Sequence, residues 1–136
     1  MTKTKLLLFP LIASALCSCT IRVSHYKALI MISSQTPSKS SVSFDQFEGK
    51  YVMNLKKTTA GEGTVAYSVS LGVGKVNVYY AIKPFEADED KLLFTINGGD
   101  SFEGKFGYVE KGYKVYVTIV SEGKVDDGKF QFELVS

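Results

Sequence analysis

The chain has 136 residues, the length of one ordinary domain, and its 45% hydrophobic and 22% charged residues are typical of a globular protein. A formal net charge of +2 gives no strong positive field for nucleic acid, and one His and two Cys leave few ligands for a zinc site or a thiol–imidazole pair. We therefore predict no cofactor, no bound metal and no nucleic-acid partner.

Residues 1–18 have the three-part form of an export signal. Lys3 and Lys5 make a positive start, and an apolar run over residues 6–16 follows. This run is too short to span a bilayer and has the usual length of a signal core. These two lysines account for the net charge of the whole chain, so acidic and basic residues are equal in number from Cys19 onward. The sequence thus predicts an exported protein.

The end of this signal, Leu16-Cys17-Ser18-Cys19, resembles the lipobox of bacterial lipoproteins. That motif has a Leu three residues before the modified Cys and a small residue directly before it. The resemblance implies that Cys19 is lipidated and anchors the protein to a membrane. The alternative is an ordinary secretory signal, cut near Ala15 or Ser18, that releases the protein. No Cys follows residue 19, so the exported domain has no disulfide.

Residues 19–43 are predicted to form a flexible tether. Their second half, residues 33–41, is rich in Ser and lacks periodicity, which is typical of a linker. An apolar stretch over residues 28–32 interrupts the tether, and we expect it either to add a strand to the domain or to lie at a membrane surface. His25 stands alone in this segment and is interpreted as a surface residue.

From Phe44 to Ser136 the apolar residues alternate with polar ones, the period-two pattern of half-buried strands. Seven to eight strands are predicted, separated by short Gly-, Asn- and Asp-containing turns that favour antiparallel neighbours. We therefore expect a single all-β domain over residues 44–136. Its strands are expected to follow one another as an antiparallel meander, which either closes as a small β-barrel or folds over as a β-sandwich.

The segment 44–51, which reads Phe-Asp-Gln-Phe-Glu-Gly-Lys-Tyr, resembles the first-strand motif of lipocalins and related calycins. In that family a Gly and, two residues on, a Trp begin strand one after a Phe-Asp pair; here Gly49 and Tyr51 hold those positions. The resemblance covers only these eight residues. It implies a small calycin-like barrel.

No catalytic residues can be assigned. The only His lies in the predicted tether, which leaves a nucleophile triad without its usual base, and the exported domain has no thiol. The densest acidic run, residues 86–90, lacks the residue order of the helix-loop calcium motif and is interpreted as a solvated loop. We therefore predict a protein that is not an enzyme.

The aromatic residues give two binding hypotheses. The inner-face positions Tyr51, Tyr67, Tyr80 and Tyr108, with Phe94, would line a pocket for a small amphiphilic ligand, and the alternative is that they fill the core. On the outer face, Tyr79 and Tyr116 are expected to form an exposed patch for a protein partner, together with Val52, Leu93 and Val120. The first hypothesis makes the protein a ligand-binding module. The second makes it a structural protein of the cell envelope with a solid core.

Overall fold

The computed structural model describes residues 23–83 and 90–136, which form two five-stranded antiparallel sheets. Their ten strands are β1 (His25–Lys27), β2 (Ile30–Gln35), β3 (Lys39–Asp45), β4 (Glu48–Lys56), β5 (Gly63–Val73), β6 (Lys75–Lys83), β7 (Lys91–Asn97), β8 (Ser101–Val109), β9 (Lys114–Ser121) and β10 (Asp126–Val135). None of the described residues lies in a helix, so none of them provides a helix that could span a membrane. The predicted export signal, Cys19 and nearly all of the acidic run 86–90 lie outside the described residues.

The two sheets pack face to face as a β-sandwich. Sheet A has the strand order β1-β4-β9-β6-β7, and sheet B has the order β2-β3-β10-β5-β8. Among the described strands, only β2–β3 and β6–β7 are both consecutive and paired, because the chain changes sheet at the other connections. The prediction of an all-β antiparallel fold is confirmed, whereas the meander and the closed barrel are wrong. Period-two alternation reveals which residues face inward, but not which strands pair.

The core lies between the sheets and is built from alternate residues of each strand. In β9, Val115, Val117 and Ile119 are fully buried, and in β10 Phe130 and Phe132 face them from the other sheet. Each of these residues is separated from the next by one that points to the outer face. The sequence pattern therefore predicts the core correctly in the central strands.

The segment expected to be a tether is part of the sandwich from His25 onward. Strand β3 pairs along its length with β10, from Phe44 opposite Gly128 to Lys39 opposite Glu133. Val42 and Phe44 are buried in the core, and β2 extends the same sheet beyond β3. The apolar stretch 28–32 thus adds a strand, one of its two expected outcomes. The Ser-rich composition obscured the strands because Ser is common in loops, while the alternation of Val42 and Phe44 is a strand signal.

The calycin-like segment 44–51 forms a corner between the sheets. Gln46 has a positive φ of 52°, which turns the chain out of β3, and Phe47 is fully buried beside Phe44 with their ring centroids 4.5 Å apart. Phe47 also exchanges two backbone hydrogen bonds of 2.8 Å with Val125. The aromatic residues of this segment therefore close one end of a sandwich.

Two irregularities move residues to the face opposite to the one predicted. The β5–β8 register shifts near Gly107, whose φ is +82°, so Tyr108 is 45% exposed while Phe106 and Val109 pack inward. The β6–β7 register shifts between Val78 and Tyr79. Leu92 is exposed as a result, and Leu93 packs against the core. The inner-face prediction for Tyr108 and the outer-face prediction for Leu93 are therefore wrong, because a bulge reverses the alternation.

Candidate functional site

The outer face of sheet B carries a groove of about 380 Å³ that crosses all five strands. It is lined largely by short hydroxyl side chains, and we call it the serine groove. Its outward-facing residues are Ile32, Ser34, Ser41, Ser43, Ser68, Ser70, Ser101, Lys129 and Gln131. Val42, Val69 and Phe130 alternate with these residues and form the core on the other side of the same strands.

Strand pairing brings these residues together from distant parts of the sequence. Lys129 lies opposite Ser43 of β3 on one side and opposite Ser70 of β5 on the other. Gln131 lies in the same way between Ser41 and Ser68. Since neighbouring strands are about 4.8 Å apart, each long side chain of β10 has a serine on either side at that spacing. The row through Lys129 continues outward to Ile32 and Ser101, and the row through Gln131 continues to Ser34 and Glu103.

The polar groups of the groove are available to a ligand. Within residues 23–83 and 90–136, the side chains of its six serines form no hydrogen bond with another protein group, and the Gln131 amide forms none either. Ser40 provides a contrast, because it faces inward and its hydroxyl donates to Gln35 over 2.8 Å. A serine hydroxyl can donate one hydrogen bond and accept two, and an amide offers both functions. The groove therefore presents a field of mixed donors and acceptors.

One end of the groove has an apolar rim on the edge strand β2. Ile32 is 67% exposed beside Ser43, and Ile30 and Leu29 continue the exposed apolar surface along the chain. This rim is formed by the apolar stretch for which the sequence predicts either a strand or a membrane contact. The structure provides the strand and leaves these three side chains exposed.

Three of the five tyrosine and phenylalanine residues predicted to bind a ligand meet between the sheets. Tyr67 lies 5.0 Å from Phe94, and both Tyr67 and Tyr80 contact Phe106, at 6.2 and 4.8 Å between ring centroids. Phe102 joins the same cluster at 5.1 Å from Phe94. All are half-buried and pack against the core. This aromatic cluster ties the edge strands β7 and β8 together.

The other two predicted ligand-binding residues lie apart from this cluster. Tyr51 packs edge to face against Tyr26 at 5.6 Å, near Phe47. Tyr108 is on the surface, where its hydroxyl donates a hydrogen bond to the Glu110 carboxylate. That hydrogen bond favours the protonated phenol and is the main cause that raises the pKa of Tyr108 to about 12. None of the five residues lines the serine groove.

The outer face of sheet A contains the predicted partner surface. Tyr79 pairs with Thr118, and Tyr116 pairs with Ala81, so the two tyrosines occupy adjacent register positions on neighbouring strands. Both are half-buried, and Val52 lies beyond Thr118 on the same face. The Lys114 ammonium lies 6.0 Å from the centre of the Tyr116 ring. The structure thus brings Tyr79, Tyr116 and Val52 to one face.

The described residues contain no group of three or more His, Cys, Asp or Glu side chains that could hold a metal ion. The sequence interpretation missed the serine groove, because its six serines are spread over the four strands β2, β3, β5 and β8 and each serine alone is an ordinary surface residue. The available signal was the period-two spacing of Ser41 with Ser43 and of Ser68 with Ser70. It becomes informative only when β10 is placed between β3 and β5.

No family model matches the chain, and no curated protein sequence matches it. Distant similarity to solved β-domains is found. The module TmCBM61, described in complex with β-1,4-galactotriose, matches with 13% identity and a TM-score of 0.46 over 87% of this chain and 91% of that chain. CBM35 from Paenibacillus barcinonensis matches with 13% identity and a TM-score of 0.35, over 86% and 85%. The cupin domain of Drosophila melanogaster CENP-C matches with 10% identity and a TM-score of 0.33, over 86% and 73%.

Proposed function

We propose that the protein is a non-catalytic binding module whose serine groove binds a carbohydrate. The observation that carries the proposal is the arrangement of six serine hydroxyls, none of them hydrogen-bonded to another described residue, around the Gln131 amide on one concave face. A sugar chain presents closely spaced hydroxyl groups, each a donor and an acceptor, and is complementary to such a surface. The groove, rather than the distant similarity to carbohydrate-binding modules, supports this proposal.

The form of the groove also favours an extended ligand. It runs across the strands from β2 to β8 and is open to solvent, so a chain of sugar units could lie along it. The sheet beneath it is rigid, because Phe130 and Val69 are buried in the core directly behind the groove. A preformed site of this kind loses little conformational entropy on binding. Water-mediated contacts to the serines would add to the direct hydrogen bonds.

The amphiphilic ligand predicted from the sequence fits the serine groove less well than a sugar does. Its predicted binding residues are packed between the sheets, where Tyr67 contacts Phe94 and both Tyr67 and Tyr80 contact Phe106. None of the three described depressions, of about 380, 180 and 250 Å³, is lined by these rings. An outer-face polar site is therefore the better supported ligand site.

The test of this proposal is a variant in which longer neutral side chains fill the serine groove, so that the charge of the groove does not change. Ser41 and Ser68 flank Gln131, and the double variant Ser41→Gln/Ser68→Gln places long side chains on both sides of it. We expect the wild-type protein to bind one or more members of a panel of soluble neutral and acidic polysaccharides in affinity electrophoresis and calorimetry. The filled variant should bind at least about tenfold more weakly, which corresponds to the loss of one or two hydrogen bonds.

Thr58→Gln is the matched control, because Thr58 is exposed and lies outside the groove. It should leave the affinity unchanged, and circular dichroism should show all three proteins folded. Binding that survives in the filled variant would place the site elsewhere. Failure of the wild-type protein to bind any glycan of the panel would contradict the proposed function.

We also propose that the module is displayed outside the cell on a lipid anchor at Cys19. The lipobox-like residues Leu16 to Cys19 support this proposal, together with the short apolar run before them. Cys19→Ser should move the protein from the membrane fraction to the soluble fraction of cells that express the full chain. An unchanged membrane fraction, with a mature first residue other than Cys19 by mass spectrometry, would reject the anchor.

A further inference from the structure

Among the residues that the structure describes, Lys129 is the only charged side chain that lines the serine groove, and it stands at the groove's centre. It projects from β10, the middle strand of sheet B, and the residues paired with it on both sides are the small serines Ser43 and Ser70. A long lysine side chain between two such neighbours is free to bend toward either half of the groove. Its ammonium group can therefore reach a ligand that lies along the serines.

The Lys129 ammonium has no carboxylate partner among the described residues. The contrast is Lys75, whose ammonium lies 3.7 Å from the Glu122 carboxylate on sheet A. Of the two acids that precede Lys129 in β10, neither forms an ion pair with it. Asp126 accepts backbone hydrogen bonds from Gln46 and Asp127, at 3.0 and 3.1 Å.

Asp127, two residues before Lys129, sits at a left-handed turn with φ of 55°. Its side chain lies against Gly72 of the neighbouring strand, where the missing Cβ of the glycine leaves room for it. The carboxylate is thereby held beside Gly72 at the end of β10, on the same outer face as Lys129, and forms no ion pair with Lys129. Among the described residues no acid lines the groove, and Glu103, which lies opposite Ser68 on the edge strand β8, is outside the lining. No described carboxylate therefore compensates the charge of Lys129 within the groove.

We propose that the serine groove is selective for an acidic glycan, whose carboxylate or sulfate group pairs with Lys129; this inference rests on the carbohydrate-binding function proposed above. The serines would hold the hydroxyl groups of the sugar, and the ammonium would form a charge-assisted hydrogen bond with the anionic group. Such bonds are roughly twice as strong as those between neutral groups, so the charge sets the preference among sugars of similar shape.

The test compares ligands that differ in charge alone. Oligogalacturonate and its methyl-esterified form share one sugar backbone, and dextran sulfate with dextran provides the same comparison for sulfate. We expect the wild-type protein to bind at least one acidic member about tenfold more tightly than its neutral counterpart at low salt, which is the loss expected when one charged hydrogen bond is removed. The preference should shrink as ionic strength rises.

Three variants assign the preference to one residue. Lys129→Gln removes the charge at nearly constant length and should bind the acidic and neutral members about equally, whereas Lys129→Arg should keep the preference. Lys105→Gln is the matched control, since Lys105 is exposed on the same face of sheet B, opposite Ala66 and outside the groove. It should behave like the wild-type protein.

The outcomes separate this inference from the function on which it rests. Equal binding of neutral and acidic glycans by the wild-type protein overturns the acidic preference and leaves the carbohydrate site in place. A preference that persists in Lys129→Gln also overturns the inference, because a residue other than Lys129 would then recognise the negative charge of the glycan. Absence of binding to every glycan overturns both proposals.

Discussion

Small residues have opposite surroundings on the outer faces of the two sheets. On sheet A, Thr118 and Ala81 are only 5% and 1% exposed, and their paired positions are occupied by Tyr79 and Tyr116. On sheet B, Ser68 is exposed and its paired residue on β10 is Gln131, in a row that continues to Ser41 and Ser34 on one side and to Glu103 on the other. Small side chains beside tyrosine rings are covered on sheet A, whereas the serines on either side of the Gln131 side chain leave a depression on sheet B.

The comparison indicates where a ligand can approach the backbone. On sheet A the outer side chains pack on one another, so they form a second, smaller cluster of packed side chains outside the main core. On sheet B the hydroxyl groups remain unpartnered and lie close to the strands that carry them. The two faces therefore predict different responses to mutation: loss of stability on sheet A, and loss of binding on sheet B.

The largest difference in stability is expected between substitutions on the inner and the outer face of β10. Phe130→Ala removes a fully buried ring behind the groove and should lower the free energy of unfolding by about 3–5 kcal/mol, measured by urea denaturation. Gln131→Ala, one residue further, should change it by less than about 0.5 kcal/mol while weakening glycan binding. A large loss of stability in Gln131→Ala would show that the groove side of β10 is structural.

A second pair of substitutions compares the two faces of β6. Tyr80 contacts Phe106 between the sheets, and Tyr80→Ala should lower the free energy of unfolding by about 2–3 kcal/mol because the ring is half-buried. Tyr79→Ala on the outer face should cost about 1 kcal/mol. Both values come from the same urea titration. Equal losses would mean that the outer face of sheet A contributes to stability as much as the core does.

The smallest difference in stability is expected between substitutions of small residues on the outer faces of the two sheets. Thr118→Ala should cost about 1 kcal/mol, because Thr118 is buried among larger neighbours. Ser68→Ala should change stability by less than about 0.5 kcal/mol, because Ser68 is exposed and its hydroxyl has no protein partner. Thermal melts followed by circular dichroism would measure both. A greater loss in Ser68→Ala would contradict the proposed difference between the faces.

The sequence predicts the inner faces of the central strands because burial there follows strict alternation. It fails at Tyr108 and Leu93, where a bulge inserts one residue and reverses the face. It also misses strands β1 and β3, because the Ser-rich part of the predicted tether has the composition of a linker although Val42 and Phe44 alternate within it. Composition and periodicity disagree there, and tertiary pairing with β10 decides the outcome.

The serine groove could not be predicted, for a related reason. Ser43, Lys129 and Ser70 lie far apart in the sequence and become neighbours only through strand order. Each is an unremarkable surface residue in its own strand. The functional prediction was based on aromatic residues because their rings are large and the tyrosines carry a hydroxyl, yet Tyr67, Tyr80 and Phe94 pack between the sheets around Phe106 and Phe102.

The central position of β10 has a consequence for the order of folding. β10 is the last strand of the described chain, and it pairs β3 with β5, which otherwise have no contact through hydrogen bonds. Until β10 is in place, β2–β3 and β5–β8 are separate ribbons with exposed edges. Pairings between residues as distant as Phe44 and Gly128 close slowly, because a long loop must be ordered first. The serine groove is therefore expected to assemble late, in the same step that joins the two halves of sheet B.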